Sequence, residues 1–171
     1  GKEAFGGCDG LTSVTIPNSV TTIVKRAFWS CENLASVNFG NSVTTIDEEA
    51  FRGCVALTSM TIPATVTAIS NLLFVGCSNL VSVTIPNTVT GIGYAAFYCS
   101  GLTSITIPNS VSSIGKEAFS GCKNLTSVTI PSSVMTIEEG AFANCNSLTN
   151  IDVEKGNPAY ASAGGVLFDK N

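Results

Sequence analysis

The chain has 171 residues, 44% of them apolar and only 12% charged, a composition that excludes a disordered chain. Net charge is −4 and the eight Lys and Arg are scattered, so no basic stripe exists to neutralise a row of phosphates and no nucleic acid partner is expected. No apolar run approaches the ~20 residues that span a bilayer and no signal peptide opens the sequence, so this segment is expected to make no membrane insertion.

The chain opens on GKEAF, which recurs at Gly115 to Phe119 in the middle of a repeat, so both ends read as cut. LTSVTIP at 11–17 then returns as LASVNFG, LTSMTIP, LVSVTIP, LTSITIP, LTSVTIP and LTNIDVE. A fixed period of this length marks a stack of small units, each too small to bury its own apolar face. Phe5, Phe28, Phe51, Phe74 and Phe97 are 23 residues apart, Phe119 follows after 22 and Phe142 after 23. The lost residue falls in YCSG, between Phe97 and Leu102, where a turn absorbs it without flipping the faces of a strand.

Leu11, Val14 and Ile16 alternate with Ser13 and Thr15, the period of two of a half-buried strand. One strand per unit, always running the same way, predicts a parallel sheet of seven strands roughly 30 Å long at ~4.8 Å spacing. Pro17, Pro63, Pro86, Pro108 and Pro131 end five of the strands, where a missing N–H helps the chain leave the ladder. Apolar pairs three apart follow, Val20 with Ile23 through Val134 with Ile137, and predict an extended second arm. The return arm carries VKR, DEE, KE and EE just before an Ala-Phe pair, and its AFxxC core predicts a single helical or 3₁₀ turn.

The unit LTSVTIPNSVTTIVKRAFWSCEN resembles the leucine-rich repeat of the BspA type, also called the Treponema pallidum type. The strand Pro, the Val and Ile three apart, and the Ala-Phe followed by Cys recur together over about nine-tenths of the chain. The resemblance implies a leucine-rich repeat solenoid over residues 1–154, mainly β, with a C-terminal tail or cap over 155–171 that is itself truncated. Departures are Phe39-Gly40 in place of Ile-Pro, Leu73 in place of Ala, and the shortened spacer. What the family likeness implies for function is a cell-surface or secreted microbial protein that adheres to host matrix or plasma proteins or to other microbes; separately, the chain is expected to be a monomer.

Cys8, Cys31, Cys54, Cys77, Cys99, Cys122 and Cys145 occur once per unit. With no CxxC pair, no His and an odd count, they fit neither a zinc array nor a complete disulfide ladder. They are expected to be free, inward-facing and inert, each standing in for a small apolar residue. No cofactor or metal is expected. Without His, a Ser or Cys nucleophile lacks its usual base, and the chain reads as non-enzymatic.

Two surfaces are left as candidate binding sites. The position after each Phe reads Gly6, Trp29, Arg52, Val75, Tyr98, Ser120 and Ala143, placing Trp29, Arg52, Val75 and Tyr98 side by side with Tyr94 as a neighbour. Aromatics and Arg are enriched in binding hot spots, although the same residues can merely pad a turn. The outward columns that include Ser59, Thr61, Ser82, Thr84, Ser104 and Thr106 offer regular hydroxyls for ice or glycan binding. Against that, Thr suits any solvated strand position. A passive spacer that holds another domain away from the cell is the alternative to binding of any kind.

Overall fold

The alternation that favours extended backbone sets one short first-arm strand in six of the seven repeats, and each repeat becomes one turn of a solenoid. The structure, a computed structural model, describes residues 1–170. In chain order the strands are β1 (Ser13–Thr15), β2 (Thr22–Ile23), β3 (Ser36–Asn38), β4 (Thr45–Ile46), β5 (Ser59–Thr61), β6 (Ser82–Thr84) and β7 (Gly91–Ile92). They continue as β8 (Ser113–Ile114), β9 (Ser127–Ile130), β10 (Thr136–Ile137), β11 (Asn150–Val153), β12 (Tyr160–Ala163) and β13 (Val166–Asp169). Equivalent residues of successive repeats stand opposite one another in parallel register, as Ser13 against Ser36, Ser59 against Ser82, and Ser127 against Asn150. The second arm behaves alike, pairing β2 with β4 and joining β7, β8 and β10.

The parallel pairing is as expected, but the first-arm sheet is not continuous. It divides into β1–β3, β5–β6 and β9–β11. The first break follows Phe39-Gly40, the departure from Ile-Pro, where the Phe39 ring turns edge-on to Phe51 with centroids 6.2 Å apart. There β3 and β5 are neighbours without pairing. The second break is at Ser104 to Thr106, which form no strand. Here the layers are held by bonds outside a ladder, among them Thr103 N–H to the Val81 carbonyl at 3.2 Å and Thr126 N–H to the Thr103 carbonyl at 3.4 Å, with the two threonine hydroxyls donating to the same carbonyls.

The return arm is also corrected in detail. Instead of a helical or 3₁₀ element, each unit has isolated turns, because two residues per unit adopt left-handed backbone and interrupt any right-handed run. One left-handed column is Glu3, Arg26, Glu49, Leu72, Ala95, Glu117 and Gly140; the other is Gly7, Ser30, Gly53, Gly76, Cys99, Gly121 and Asn144. The layers are tied together there by main-chain bonds such as Phe74 N–H to Ala96 carbonyl, 2.7 Å, and Phe97 N–H to Ala118 carbonyl, 2.8 Å.

Inside, the seven Phe of the AF motif form one offset stack from Phe5 to Phe142, with successive centroids 5.2–6.0 Å apart. Phe51, Phe74, Phe97 and Phe119 are fully buried. Beyond the last unit, the antiparallel β12–β13 hairpin lies over the core. Its Tyr160 hydroxyl accepts the Ile137 N–H at 2.8 Å, and the buried Asn157 side chain donates to the carbonyls of Pro131 and Val134.

Five thiols are inward as expected, and each donates to the carbonyl of a Phe in the preceding layer: Cys31 to Phe5, Cys54 to Phe28, Cys77 to Phe51, Cys122 to Phe97 and Cys145 to Phe119, at 2.9–3.2 Å. Cys is therefore more than apolar filler, because it adds a bond between layers to a carbonyl that already accepts a backbone N–H within its own turn. Cys99 departs from the expected inward column. The deletion lies after Ser100, so Ser100 occupies the buried slot, 3.3 Å from Cys122 Sγ, and Cys99 shifts into the left-handed column at the surface. Cys8 is exposed too, in the first unit.

All seven thiols are free. Burial pushes Cys77 and Cys122 up to about 12 and Cys54 further, so these groups hold their protons and do not act as nucleophiles. Alkylation in native buffer is expected to mark Cys8 and Cys99 and spare the other five, with all seven reacting in denaturant. Protection of Cys99, or a disulfide found by intact mass, contradicts this placement.

Candidate functional site

The residue after each Phe stands between a core ring and a left-handed residue, which turns it towards the surface in most units, although Ser120 is buried. Trp29 and Tyr98 of this column are 40% and 37% exposed, and Tyr94, ahead of Phe97 on the same turn, is 43% exposed, unusual for large aromatics. Arg52, Val75, Tyr94 and Tyr98 converge on one shallow groove of about 270 Å³, completed by Leu72, Ala95 and Glu117. Trp29 does not line it and stands towards the start of the stack, its ring against Gly6. Four of the five expected residues thus meet at one place.

Leu72, Ala95 and Glu117 belong to the first left-handed column, within the arm that carries most of the charges. A signal was present. That column reads Glu3, Arg26 and Glu49, then loses its charge at Leu72 and Ala95, beside the tyrosines, before returning to Glu117. The apolar gap forms part of the groove lining.

On the Arg52 side the groove adjoins an ion-pair ladder. Glu49, 3% exposed, takes a hydrogen bond from Arg26 at 3.1 Å and another from Arg52 at 3.0 Å, while Arg26 also reaches Glu3 and Lys25 pairs with Glu48. Burial pushes the Glu49 carboxyl up, but the bonds from Arg26 and Arg52 outweigh it and hold the group below the usual carboxylate range. The Tyr98 hydroxyl is pushed up, chiefly by the adjacent Cys99, so it remains protonated at neutral pH as a hydrogen-bond donor.

A carboxylate held low contributes stability above its unfolded value of about 4.3 and loses that contribution as pH falls through the folded value. Glu49→Gln is therefore expected to cost about 1–3 kcal/mol at pH 7 and less at pH 3, by urea unfolding. The cost is kept below that of a fully buried pair because the guanidiniums are 39% and 43% exposed. An equal deficit at both pH values contradicts the assignment.

The hydroxyl face is arranged differently. Ser59 and Ser82, like Thr61 and Thr84, are exposed and in register on β5 and β6, whereas Ser104 and Thr106, also exposed, lie on the irregular segment. The array is thus two strands wide here before the ladder breaks on either side. A groove of about 550 Å³ opens between β3 and β5, lined by Ser36, Asn38, Ser59 and Thr61 with Phe39 and Pro63, and carries no charged side chain. No group of three His, Cys, Asp or Glu able to hold a metal occurs among the described residues, and no helix among them is long and apolar enough to cross a membrane.

Stacked parallel strands, an inward aliphatic and Phe core, and an outward edge of variable side chains define a leucine-rich-repeat solenoid. The family model described as the BspA type leucine rich repeat region matches residues 1–105 and 91–162, in six copies. The chain belongs to that family. It is similar to the Treponema pallidum leucine-rich repeat protein TpLRR, at 32% identity and a TM-score of 0.79, over 86% of this chain and 69% of that one. It is also similar to a leucine-rich repeat protein of Bacteroides ovatus, at 33% identity and a TM-score of 0.81, over 90% of this chain but only 40% of that one. A leucine rich cell surface protein of Faecalibacterium prausnitzii is 29% identical with a TM-score of 0.58, over 82% of this chain and 60% of the other. No curated protein sequence matches.

Proposed function

We propose that this chain is a non-catalytic protein-binding module of a cell-surface or secreted microbial protein, adhering to a host matrix or plasma protein or to another microbe. The observation that carries the reading is the convergence of Arg52, Val75, Tyr94 and Tyr98 on one groove, with Trp29 exposed along the same edge. Large aromatics and Arg bury apolar area and still offer donors, whereas a uniform Ser and Thr surface stays well solvated and gives a partner no anchor. A similar protein named as a cell surface protein supports the location.

Immobilised matrix and plasma proteins, together with whole microbial cells, serve as the screen. For a ligand so identified, Trp29→Ala combined with Tyr98→Ala is expected to weaken binding at least about tenfold, or ~1.4 kcal/mol. Unchanged affinity in that double variant, with loss on Thr61→Lys and Thr84→Lys, moves the site to the hydroxyl face. Silence of the whole panel favours the spacer reading.

A further inference from the structure

The groove has opposite charges at its two ends. Arg52 spends one N–H on Glu49, and its side chain is 43% exposed, leaving further donors directed to solvent. At the other end Glu117 is part-buried, and among the described residues its carboxylate accepts no hydrogen bond and forms no ion pair; the neighbouring Lys116 feels its charge but is bonded to Glu139. Between them lie Leu72, Val75 and Ala95, flanked by the exposed rings of Tyr94 and Tyr98.

Arg52 and Glu117 belong to the third and sixth units of the stack. Three layers at ~4.8 Å put them roughly 14 Å apart along the axis. An extended polyproline-type strand rises ~3.1 Å per residue, so about five residues cover that span.

Resting on the binding reading above, we propose that the groove takes an extended peptide segment of the partner with an acidic side chain at Arg52, a basic one at Glu117, and proline or another apolar residue against the tyrosines. Proline-rich segments suit aromatic-lined grooves because their backbone is ordered before binding and little entropy is lost. The opposite charges at the two ends select a dipolar segment over one with like charges at both ends.

The test titrates the isotope-labelled chain, followed by NMR, with three blocked peptides: Asp-Pro-Leu-Pro-Lys, Asp-Pro-Leu-Pro-Asp and Lys-Pro-Leu-Pro-Lys. The wild type is expected to bind the first at least about tenfold more tightly than the other two. Glu117→Lys makes both ends basic and is expected to transfer the preference to the peptide with two Asp; Arg52→Glu makes both ends acidic and favours the peptide with two Lys. Arg52→Glu also removes the bond to Glu49, so if that variant fails to fold, Glu117→Lys alone carries the comparison. Absence of binding, or a preference that Glu117→Lys leaves unchanged, overturns the proposal. Loss of a screened partner in the Trp29 and Tyr98 double variant, together with peptides that show no charge preference, removes this inference and leaves the binding edge standing.

Discussion

Phe74→Ala is expected to lower the unfolding free energy by about 3–5 kcal/mol, the usual range for truncating a fully buried ring. Phe74 is fully buried and sits in the middle of the stack, with ring centroids 6.0 Å from Phe51 and 5.5 Å from Phe97. Its removal opens both interfaces at once, and a repeat is held mainly by its neighbours. Phe5→Ala makes the control. That ring is 48% exposed and stacks on Phe28 alone, so its loss is expected to cost no more than about 1.5 kcal/mol of transfer energy. Urea denaturation of the two variants measures both costs, and equal losses contradict a stack whose stability is concentrated in its middle.

Gly101→Ala is expected to be at least as damaging as Phe74→Ala, at about 3–5 kcal/mol or outright failure to fold. A Cβ on Gly101 falls 2.2 Å from the Ser78 carbonyl oxygen and 2.9 Å from its carbon. Both are backbone atoms, and the Gly101 N–H is tied to the Cys77 carbonyl at 3.1 Å, so neither layer gives way by rotating a side chain. The shortened turn is what brings these chains together, because one residue fewer draws Leu102 into place only by pressing Gly101 onto the layer before it. Restoring the missing residue between Ser100 and Gly101 in the alanine variant is expected to recover most of the loss, as seen in the midpoint of thermal unfolding. No recovery means the clash is not a product of the short turn.

The 23-residue period of the Phe positions was enough to place the parallel layers, the buried stack and the outward column, because each follows from what one unit must bury against the next. The position of the deletion was not legible. Counting from Phe97 to Leu102 shows that a residue is missing but gives the same sum whether it is lost before Cys99, which keeps that thiol inward, or after Ser100, which puts the serine there. The left-handed columns were hidden for a related reason: Arg26, Glu49, Leu72 and Ala95 are not residues that announce positive φ, and only the stacking of layers holds them there. The break at β3 was visible as Phe39-Gly40, yet its consequence depends on where the ring turns. For the candidate site, the aromatic and Arg positions were readable from spacing alone. That Trp29 stands apart while Leu72, Ala95 and Glu117 join the tyrosines depends on side-chain reach between layers.

Partner binding at this edge is tested most directly by cross-saturation from an unlabelled bound partner to the isotope-labelled chain. Attenuation is expected at Trp29, Leu72, Val75 and the segment from Tyr94 to Tyr98, with the strand residues Ser59, Thr61, Ser82 and Thr84 unaffected. Attenuation confined to those four hydroxyl positions, with the tyrosines untouched, contradicts it.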